Sequence, residues 1–202
     1  MINVKCLREL ALKQPTATGR PLHLSAASGL VCVQQHAYVV ADDEFHLGWF
    51  DLARDTPGSV LKLFPGELPD DKAERKALKP DLETLTLLPA MPGHPHGALL
   101  ALGSGSKKSR RTGVLLALDA AGAIAAPPQH LALKNLYRAL EDHVDDLNIE
   151  GAFVSGDQLL LLQRGNKKSK QNALVALPLE DVLLALHNPD TEIDIDKRHV
   201  IR

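Results

Sequence analysis

An internal repeat constrains the fold of this 202-residue chain more than any other feature. The sequence LLALGSGSKKSRRTGVLL at residues 99–116 returns sixty positions later as LLLLQRGNKKSKQNALVA at residues 159–176, and seven of the first eleven positions are identical. Each copy has an apolar run, a polar tip rich in Lys, and a second apolar run. This pattern is typical of two adjacent antiparallel strands joined by a loop. The repeat therefore predicts a β-hairpin that occurs more than once.

A looser third copy lies upstream, where residues 29–42 align with residues 151–164. Each copy also follows a similar short segment, and this alignment places Ser28, Glu83 and Glu150 at one structural position. Their separations of 55 and 67 residues exceed the roughly 40 to 50 residues of a propeller blade, but inserted loops account for the excess. We therefore predict an all-β fold, a β-propeller made of repeated four-stranded antiparallel blades.

The prediction treats residues 1–202 as a single partial propeller domain. Its parts are a possible closing strand at residues 2–12, blade one at 22–65, blade two at 81–140 and blade three at 147–202. A propeller closes with about four to eight blades, so three blades leave the ring open. The expected completion is a missing carboxy-terminal half, with a second copy of the chain or a partner chain as alternatives, because open sheet edges promote association.

Composition argues against several classes of partner. A net charge of −2 gives no general attraction to nucleic acid, and 3% aromatic residues provide no platform for stacked bases. No apolar run reaches the roughly 20 residues that span a bilayer, and the amino terminus lacks the apolar region of a secretory signal. We expect a cytoplasmic protein that binds neither nucleic acid nor membrane. Cys6 and Cys32 are too few for a disulfide framework and are predicted to be buried thiols.

Carboxylates are expected to converge at one face of the predicted ring. The start of each innermost strand and the loop between the second and third strands lie at this face, so Glu83 and Glu150 would approach each other and one pKa would rise. Carboxylate and amide oxygens in such a cluster suit Ca²⁺. The predicted metal ligands are Asp42, Asp43, Asp81, Glu83, Asn148 and Glu150. In the alternative interpretation, the glutamates bond backbone amides at the channel and bind no metal.

Basic residues crowd the loops of the repeated hairpins and could bind an anionic small-molecule substrate such as a phosphate. The predicted substrate-binding residues are Lys107, Lys108, Arg110, Arg111, Arg164, Lys167 and Lys168. The alternative is that these loops are solvated hairpin tips. His94 and His96 have an H-x-H spacing that could hold a transition metal, but the sequence offers no third ligand nearby. A simple pair of loop histidines is therefore favoured.

Three segments carry a resemblance to a known group of proteins, namely KPDLETLTLLP at residues 79–89, LALGSGS at 100–106 and NIEGAFVSGDQLLLLQRGN at 148–166. Together they resemble uncharacterised bacterial β-propeller proteins related to the phytase-like esterase group. The resemblance covers nearly the whole chain and matches the amino-terminal half of such proteins. It implies a six-bladed ring and, for the wider group, a metal-assisted esterase or phosphatase activity.

Two functions follow as hypotheses. In the first, the protein is a metal-dependent phosphatase or esterase in which a bound ion such as Ca²⁺ polarises the substrate and Glu83 and Glu150 are catalytic. In the second, it is a noncatalytic propeller that uses the same face to bind a ligand or a protein. A metal titration followed by thermal unfolding separates the two, because an ion bound only by the folded form raises the Tm.

Overall fold

Twelve β-strands among the described residues form three antiparallel sheets of four strands each. The computed structural model describes residues 4–166, 169–188, 190–191, 193, 195 and 200–201. Sheet one consists of β1 (Ala27–Val33), β2 (His36–Ala41), β3 (His46–Asp51) and β4 (Ser59–Lys62). Sheet two consists of β5 (Leu82–Leu88), β6 (Ala98–Gly103), β7 (Gly113–Ala117) and β8 (Gln129–Leu131). Sheet three consists of β9 (Ile149–Ser155), β10 (Gln158–Gln163), β11 (Ala173–Pro178) and β12 (Val200–Ile201). Within each sheet the strands follow one another in chain order.

Among the described residues, three short α-helices follow or connect these sheets, namely α1 (Lys72–Leu78), α2 (Lys134–Glu141) and α3 (Leu179–His187), and a 3₁₀-helix covers Lys108–Arg110. Asp71 is the N-cap of helix α1, and its carboxylate accepts hydrogen bonds of 2.9 Å from the N–H groups of Ala73 and Glu74. This arrangement satisfies two of the N–H groups that a helix amino terminus leaves without partners. Among the residues that the structure describes, no helix is long and apolar enough to cross a membrane.

The three sheets pack face to face, with sheet two between the other two. The core between sheets one and two includes Tyr38, Val40, Leu99 and Val114. The core between sheets two and three, where α2 and α3 also pack, includes Leu100, Leu102, Leu159 and Leu161. Because successive side chains of a strand point to opposite faces, β6 is buried along its whole length. The innermost strands β1, β5 and β9 lie side by side at one edge of this stack.

The all-β prediction is confirmed in its coarse form, since three four-stranded antiparallel sheets dominate the described residues. The strands lie inside the ranges predicted for the three blades, and the repeated sequence forms the hairpins β6–β7 and β10–β11. The described part of the chain forms no closed ring.

The amino-terminal segment differs from the prediction of a closing strand over residues 2–12. The part of it that the structure describes forms no strand, and Leu12 makes a single parallel bridge to Gly58. Leu12 instead packs on Ala37, Val39 and Phe50, on the face of sheet one that points away from sheet two. Only Leu10 and Leu12 find apolar partners, whereas Val4 and Leu7 are more than nine-tenths exposed. Burial of Leu12 against the sheet, together with hydrogen bonds from Arg8 to the carbonyl oxygens of Asp51 and Thr56, therefore holds this segment.

The prediction of buried thiols is wrong, because Cys6 and Cys32 are both exposed. Cys32 lies in β1, two residues after Leu30, which is 55% exposed. The amino-terminal segment covers the second and third strands of sheet one at this face and leaves β1 open.

Candidate functional site

A β-bulge near the start of the innermost strand recurs in all three sheets. In sheet two the register shifts between Leu82 and Thr84, which leaves Glu83 as an extra residue opposite β6. By the same pattern, Ser28 is the extra residue of β1 and Glu150 is that of β9. A bulge leaves its extra residue outside the regular ladder and changes the direction of its side chain. The structure thus gives these three residues equivalent positions, as the repeat alignment predicts.

A backbone hydrogen bond beside each bulge is repeated as well. The carbonyl oxygens of Ala26, Asp81 and Asn148 accept hydrogen bonds from the N–H groups of Asp42, Ser104 and Arg164, at 3.1, 2.9 and 3.0 Å. Each sheet therefore presents the same backbone frame with three variable side chains, one before the bulge, one in it and one after the second strand. The chemistry of the face depends on which residues occupy these positions.

Asp81 is the centre of an ion-pair network at this face. It is buried, and its Oδ1 lies 2.8 Å from the Nζ of Lys79. Its Oδ2 accepts hydrogen bonds from Nη1 of Arg110 at 2.8 Å and from Oγ of Ser104 at 2.5 Å. Asp81 also has a φ of +55°, a conformation that Asp adopts more readily than most residues. Its charge is therefore balanced by two cations.

Lys79 joins sheet one to sheet two through this network. Its ammonium group bonds the Oδ2 of Asp42, which follows β2, as well as Asp81. Burial lowers the pKa of Lys79, but the hydrogen bonds to these two carboxylates outweigh this effect and raise the pKa above its ordinary value of 10.5. Lys79 is therefore charged at neutral pH.

Glu83, in contrast, makes no hydrogen bond or ion pair with another described residue. Its side chain is half-buried. Burial is the largest cause that raises its pKa, and the negative charge of Glu150 is the next. Asp81 and Asp42 raise it further, whereas Lys79 lowers it, and the resulting pKa is about 7. Glu83 can therefore gain and lose a proton near neutral pH.

Glu150 has partners that Glu83 lacks. Its Oε1 accepts a hydrogen bond of 2.7 Å from Nδ2 of Asn148 and forms an ion pair with Nη2 of Arg164, also at 2.7 Å. The backbone N–H of Asn148 donates in turn to Oε1 of Gln163 at 2.7 Å. A cleft of about 320 Å³ opens beside Glu150 and Arg164. The side chain of Arg164 is 66% exposed, so part of its guanidinium faces solvent.

Two of the arginines predicted to bind substrate, Arg110 and Arg111, follow β6 and form ion pairs within the protein. Arg110 is buried, and besides Asp81 it bonds Oγ of Ser106 at 2.9 Å. Arg111 pairs with Glu141 at the end of α2. Each of these arginines pairs with a carboxylate of the chain, as Arg164 does, and its part in substrate binding stays a prediction.

Exposed lysines remain at the tip of the same loop. Lys107 and Lys108 are exposed, and their side chains form no hydrogen bond or ion pair within the described part of the chain. Lys167 and Lys168 lie outside the described residues. Their part in substrate binding stays a prediction.

Asp42, Asp81 and Glu83 form a group of three carboxylates that could hold Ca²⁺. Their carboxylate oxygens lie within 4.8 Å of one another, and oxygen ligands of this kind suit the ion. However, the ammonium of Lys79 already binds two of the three carboxylates, so Ca²⁺ would have to displace it. Asp43 is not part of this group. Calcium binding therefore stays a prediction.

Sequence reasoning missed Lys79 and Ser104. Lys79 lies only two residues from Asp81 in the sequence, so it was an available cation for that carboxylate. This proximity was a signal that could have identified Lys79. Ser104 is a small uncharged loop residue, and nothing in the sequence marked it.

A second cleft, of about 590 Å³, lies away from these carboxylates, between sheet one and residues 123–128. Two of its polar groups already have partners: Nε1 of Trp49 donates to Nδ1 of His36 at 3.0 Å, and the hydroxyl of Tyr38 donates to the carbonyl of Gly122 at 2.7 Å. The cleft is therefore an apolar surface without an acid or base placed for catalysis.

One family model matches the chain. It is that of DUF6929, a family of unknown function, and it covers residues 23–200, which include all three sheets. No curated protein and no solved structure shows significant similarity to the chain. The resemblance to phytase-like propeller proteins therefore stays a prediction.

Proposed function

Since the chain belongs to DUF6929, a family of unknown function, we propose a function from its own residues: a β-propeller hydrolase of anionic phosphate or carboxyl esters, with Glu83 as its acid–base group. The observation that carries the proposal is the state of Glu83, which is half-buried, lacks a described partner and has a pKa of about 7. A general base works best when its pKa lies near the working pH.

In the proposed reaction, the carboxylate of Glu83 takes a proton from a water molecule while the oxygen of that water attacks the phosphorus or the carbonyl carbon of the ester. The bond to the alcohol oxygen then breaks. The leaving alkoxide takes the proton back from Glu83, and the products are an acid and an alcohol. Glu83 is thereby returned to its starting state, and the net reaction consumes one water.

Arg164 is the proposed contact for the negative group of the substrate. The side chain of Arg164 is two-thirds exposed beside Glu150. Guanidinium groups bind phosphate and carboxylate through paired hydrogen bonds. Glu150 holds Arg164 at this position, and its charge helps to raise the pKa of Glu83.

Repeat positions support the propeller architecture. The side chains buried against the next sheet are Tyr38 and Val40 in sheet one and Leu100 and Leu102 in sheet two. The repeat places Leu160 and Leu162 at these positions in sheet three, where Leu162 is 43% exposed. A fourth sheet packed in the same manner would cover them and leave Glu150 at the ring face. We infer that further blades, from a second copy or from additional sequence, continue the ring, and light scattering tests the first source.

Two further parts of the proposal rest on the sequence. Ca²⁺, if Lys79 gives way to it, would be held by Asp42, Asp81 and Glu83 and would polarise a substrate oxygen. The second part is that the protein is cytoplasmic and binds neither nucleic acid nor membrane.

The noncatalytic alternative is favoured by one observation. Asp42, Asp81 and Glu150 are each paired with a cation, and ion-pair networks that only stabilise a fold also perturb neighbouring pKa values. On this hypothesis the face binds an anionic ligand and leaves it unchanged.

Hydrolysis of p-nitrophenyl phosphate and p-nitrophenyl acetate tests the proposal. The wild-type protein should hydrolyse at least one of them, with a rate that rises through pH 7 as Glu83 loses its proton. The variant E83Q should lower kcat by at least about 100-fold. The matched control E9Q changes an exposed glutamate outside the face and should leave the rate unchanged.

Other variants separate the two functions. E150Q should keep the fold but weaken hydrolysis and any response to Ca²⁺, and K108A should mainly raise KM. Equal activity of E83Q and wild type would refute the role of Glu83. A wild-type protein that hydrolyses neither ester, but whose Tm rises with inorganic phosphate, would leave the binding function.

A further inference from the structure

Two histidines from distant parts of the sequence meet at the opposite end of the sheets from the carboxylates. His94 lies in the loop between β5 and β6, and His187 is the last residue of α3, which follows β11. Their ring centroids are 6.1 Å apart. In the sequence, His96 is the histidine close to His94. In the folded chain, His187 at the end of α3 also lies beside it.

The loop holds His94 in a fixed place. Its N–H donates to the carbonyl of Met91 at 2.9 Å, and its carbonyl accepts from the N–H groups of Met91 and Gly97 at 3.1 and 3.0 Å. The ring Nδ1 of His94 is buried and has no hydrogen-bond partner among the described residues. A buried ring nitrogen without a partner is unfavourable unless something else binds at the site.

The tautomer of His187 is set by its helix. Its Nδ1 lies 2.8 Å from the carbonyl oxygen of Leu183, and because a carbonyl only accepts, Nδ1 must carry the proton. The other nitrogen, Nε2, then has a free lone pair when the ring is neutral. Histidines that bind metals commonly donate their second ring N–H to a carbonyl in this way. His187 also lies at the carboxyl end of a helix, where the helix dipole favours a cation.

The distance between the rings is close to that of a shared ion. Metal–nitrogen bonds of about 2 Å, with about 1 Å added from each nitrogen to its ring centre, place the centroids of two histidines on one tetrahedral ion about 5 Å apart. At 6.1 Å the rings form no hydrogen bond between their own nitrogens and would approach each other by about 1 Å when the ion binds.

We propose that His94 and His187 form a binding site for a divalent transition metal such as Zn²⁺, which links the β5–β6 loop to α3. Imidazole nitrogens suit Zn²⁺, and water molecules fill the remaining coordination positions. The site is separate from the ester-hydrolysis face, so neither depends on the other.

Titration calorimetry with Zn²⁺ alone, at pH 7.5 on the whole chain, tests the site. The wild-type protein should bind one ion through this pair, and H94Q and H187Q should each raise the Kd by at least about tenfold. The control H96Q changes the other histidine of the same loop, which makes no ring contact with the pair, and should bind as the wild type does. Binding should weaken as the pH falls below about 6, where imidazoles become protonated.

A second measurement covers the case in which a substitution disturbs the fold. Zn²⁺ should raise the Tm of wild type and H96Q but not that of H94Q or H187Q, and all four should have similar Tm values in the presence of EDTA. The chain has nine histidines, so binding that is equal in all variants would show scattered surface sites and overturn the proposal. An equal loss in H96Q and H94Q, or no binding by wild type, would also overturn it.

Discussion

Replacement of Glu83 by Gln is expected to stabilise the protein above about pH 7 and to change little below about pH 4.5. Folding raises the pKa of Glu83 from its ordinary value of 4.5 to about 7, so the folded chain holds this proton more tightly than the unfolded chain does. Such a group contributes stability at low pH that is lost as the pH rises through this window. Gln cannot ionise, so E83Q does not lose this stability as the pH rises.

The size of the effect follows from the change in pKa. At about 1.4 kcal/mol per pH unit, the difference between 4.5 and about 7 sets an upper limit of about 3 kcal/mol. Because Glu83 is only half-buried, solvent screens part of its repulsion from Glu150. We therefore expect E83Q to raise the free energy of unfolding by about 1–2 kcal/mol at pH 8.

Urea unfolding from about pH 5 to pH 8, followed by the fluorescence of Trp49, measures this difference. Trp49 is the only tryptophan of the chain. Added salt should reduce the gain at pH 8, because the part that comes from repulsion between charges is screened. The control E9Q should follow the wild-type curve. Wild-type and E83Q curves that stay parallel across this range would refute the raised pKa.

Three further substitutions test the packing around the site. K79M should destabilise the protein by about 3 kcal/mol in urea unfolding, because it leaves two carboxylates without their shared cation; an unchanged midpoint would mean that the ion pairs are not formed. Y137F should cost about 1 kcal/mol and lower the Tm, because the buried hydroxyl donates to the carbonyl of Gly103 at 2.7 Å. G29A should cost about 1–3 kcal/mol, because its Cβ would lie 2.8 Å from the backbone nitrogen of Leu85; a neutral result would argue against this close packing of β1 and β5.

The sheets could be predicted from the sequence because each repeat carries its own strand pattern. The alternation of apolar residues and the polar loop tips are local signals, and the alignment predicted that Ser28, Glu83 and Glu150 occupy one structural position. The amino-terminal segment has no repeat to compare with. Its course depends on the apolar surface that sheet one offers to Leu12, which only the folded structure reveals.

The repeat predicted that the carboxylates lie near one another, but it did not predict which cations pair with them. Convergence of Glu83 and Glu150 follows from the repeat, and the charge of one does act on the pKa of the other. Whether Arg110 binds a substrate or Asp81 depends on the course of an irregular loop, which the sequence does not determine. His187 is similar in this respect, because its approach to His94 depends on how sheets two and three pack.

Differences among the three repeats explain why Glu83 is the carboxylate left without a partner. In sheet one the bulge residue is Ser28, whose hydroxyl donates to the carbonyl of Leu82 at 2.5 Å. In sheet three, the residue after the second strand is Arg164, which pairs with the bulge residue of the same sheet. In sheet two the equivalent residue is Ser104, which bonds Asp81 instead. The same backbone frame thus produces a neutral bulge residue, an unpaired acid and a paired acid. Burial, followed by the charges of nearby carboxylates, raises the pKa of the unpaired acid to about 7.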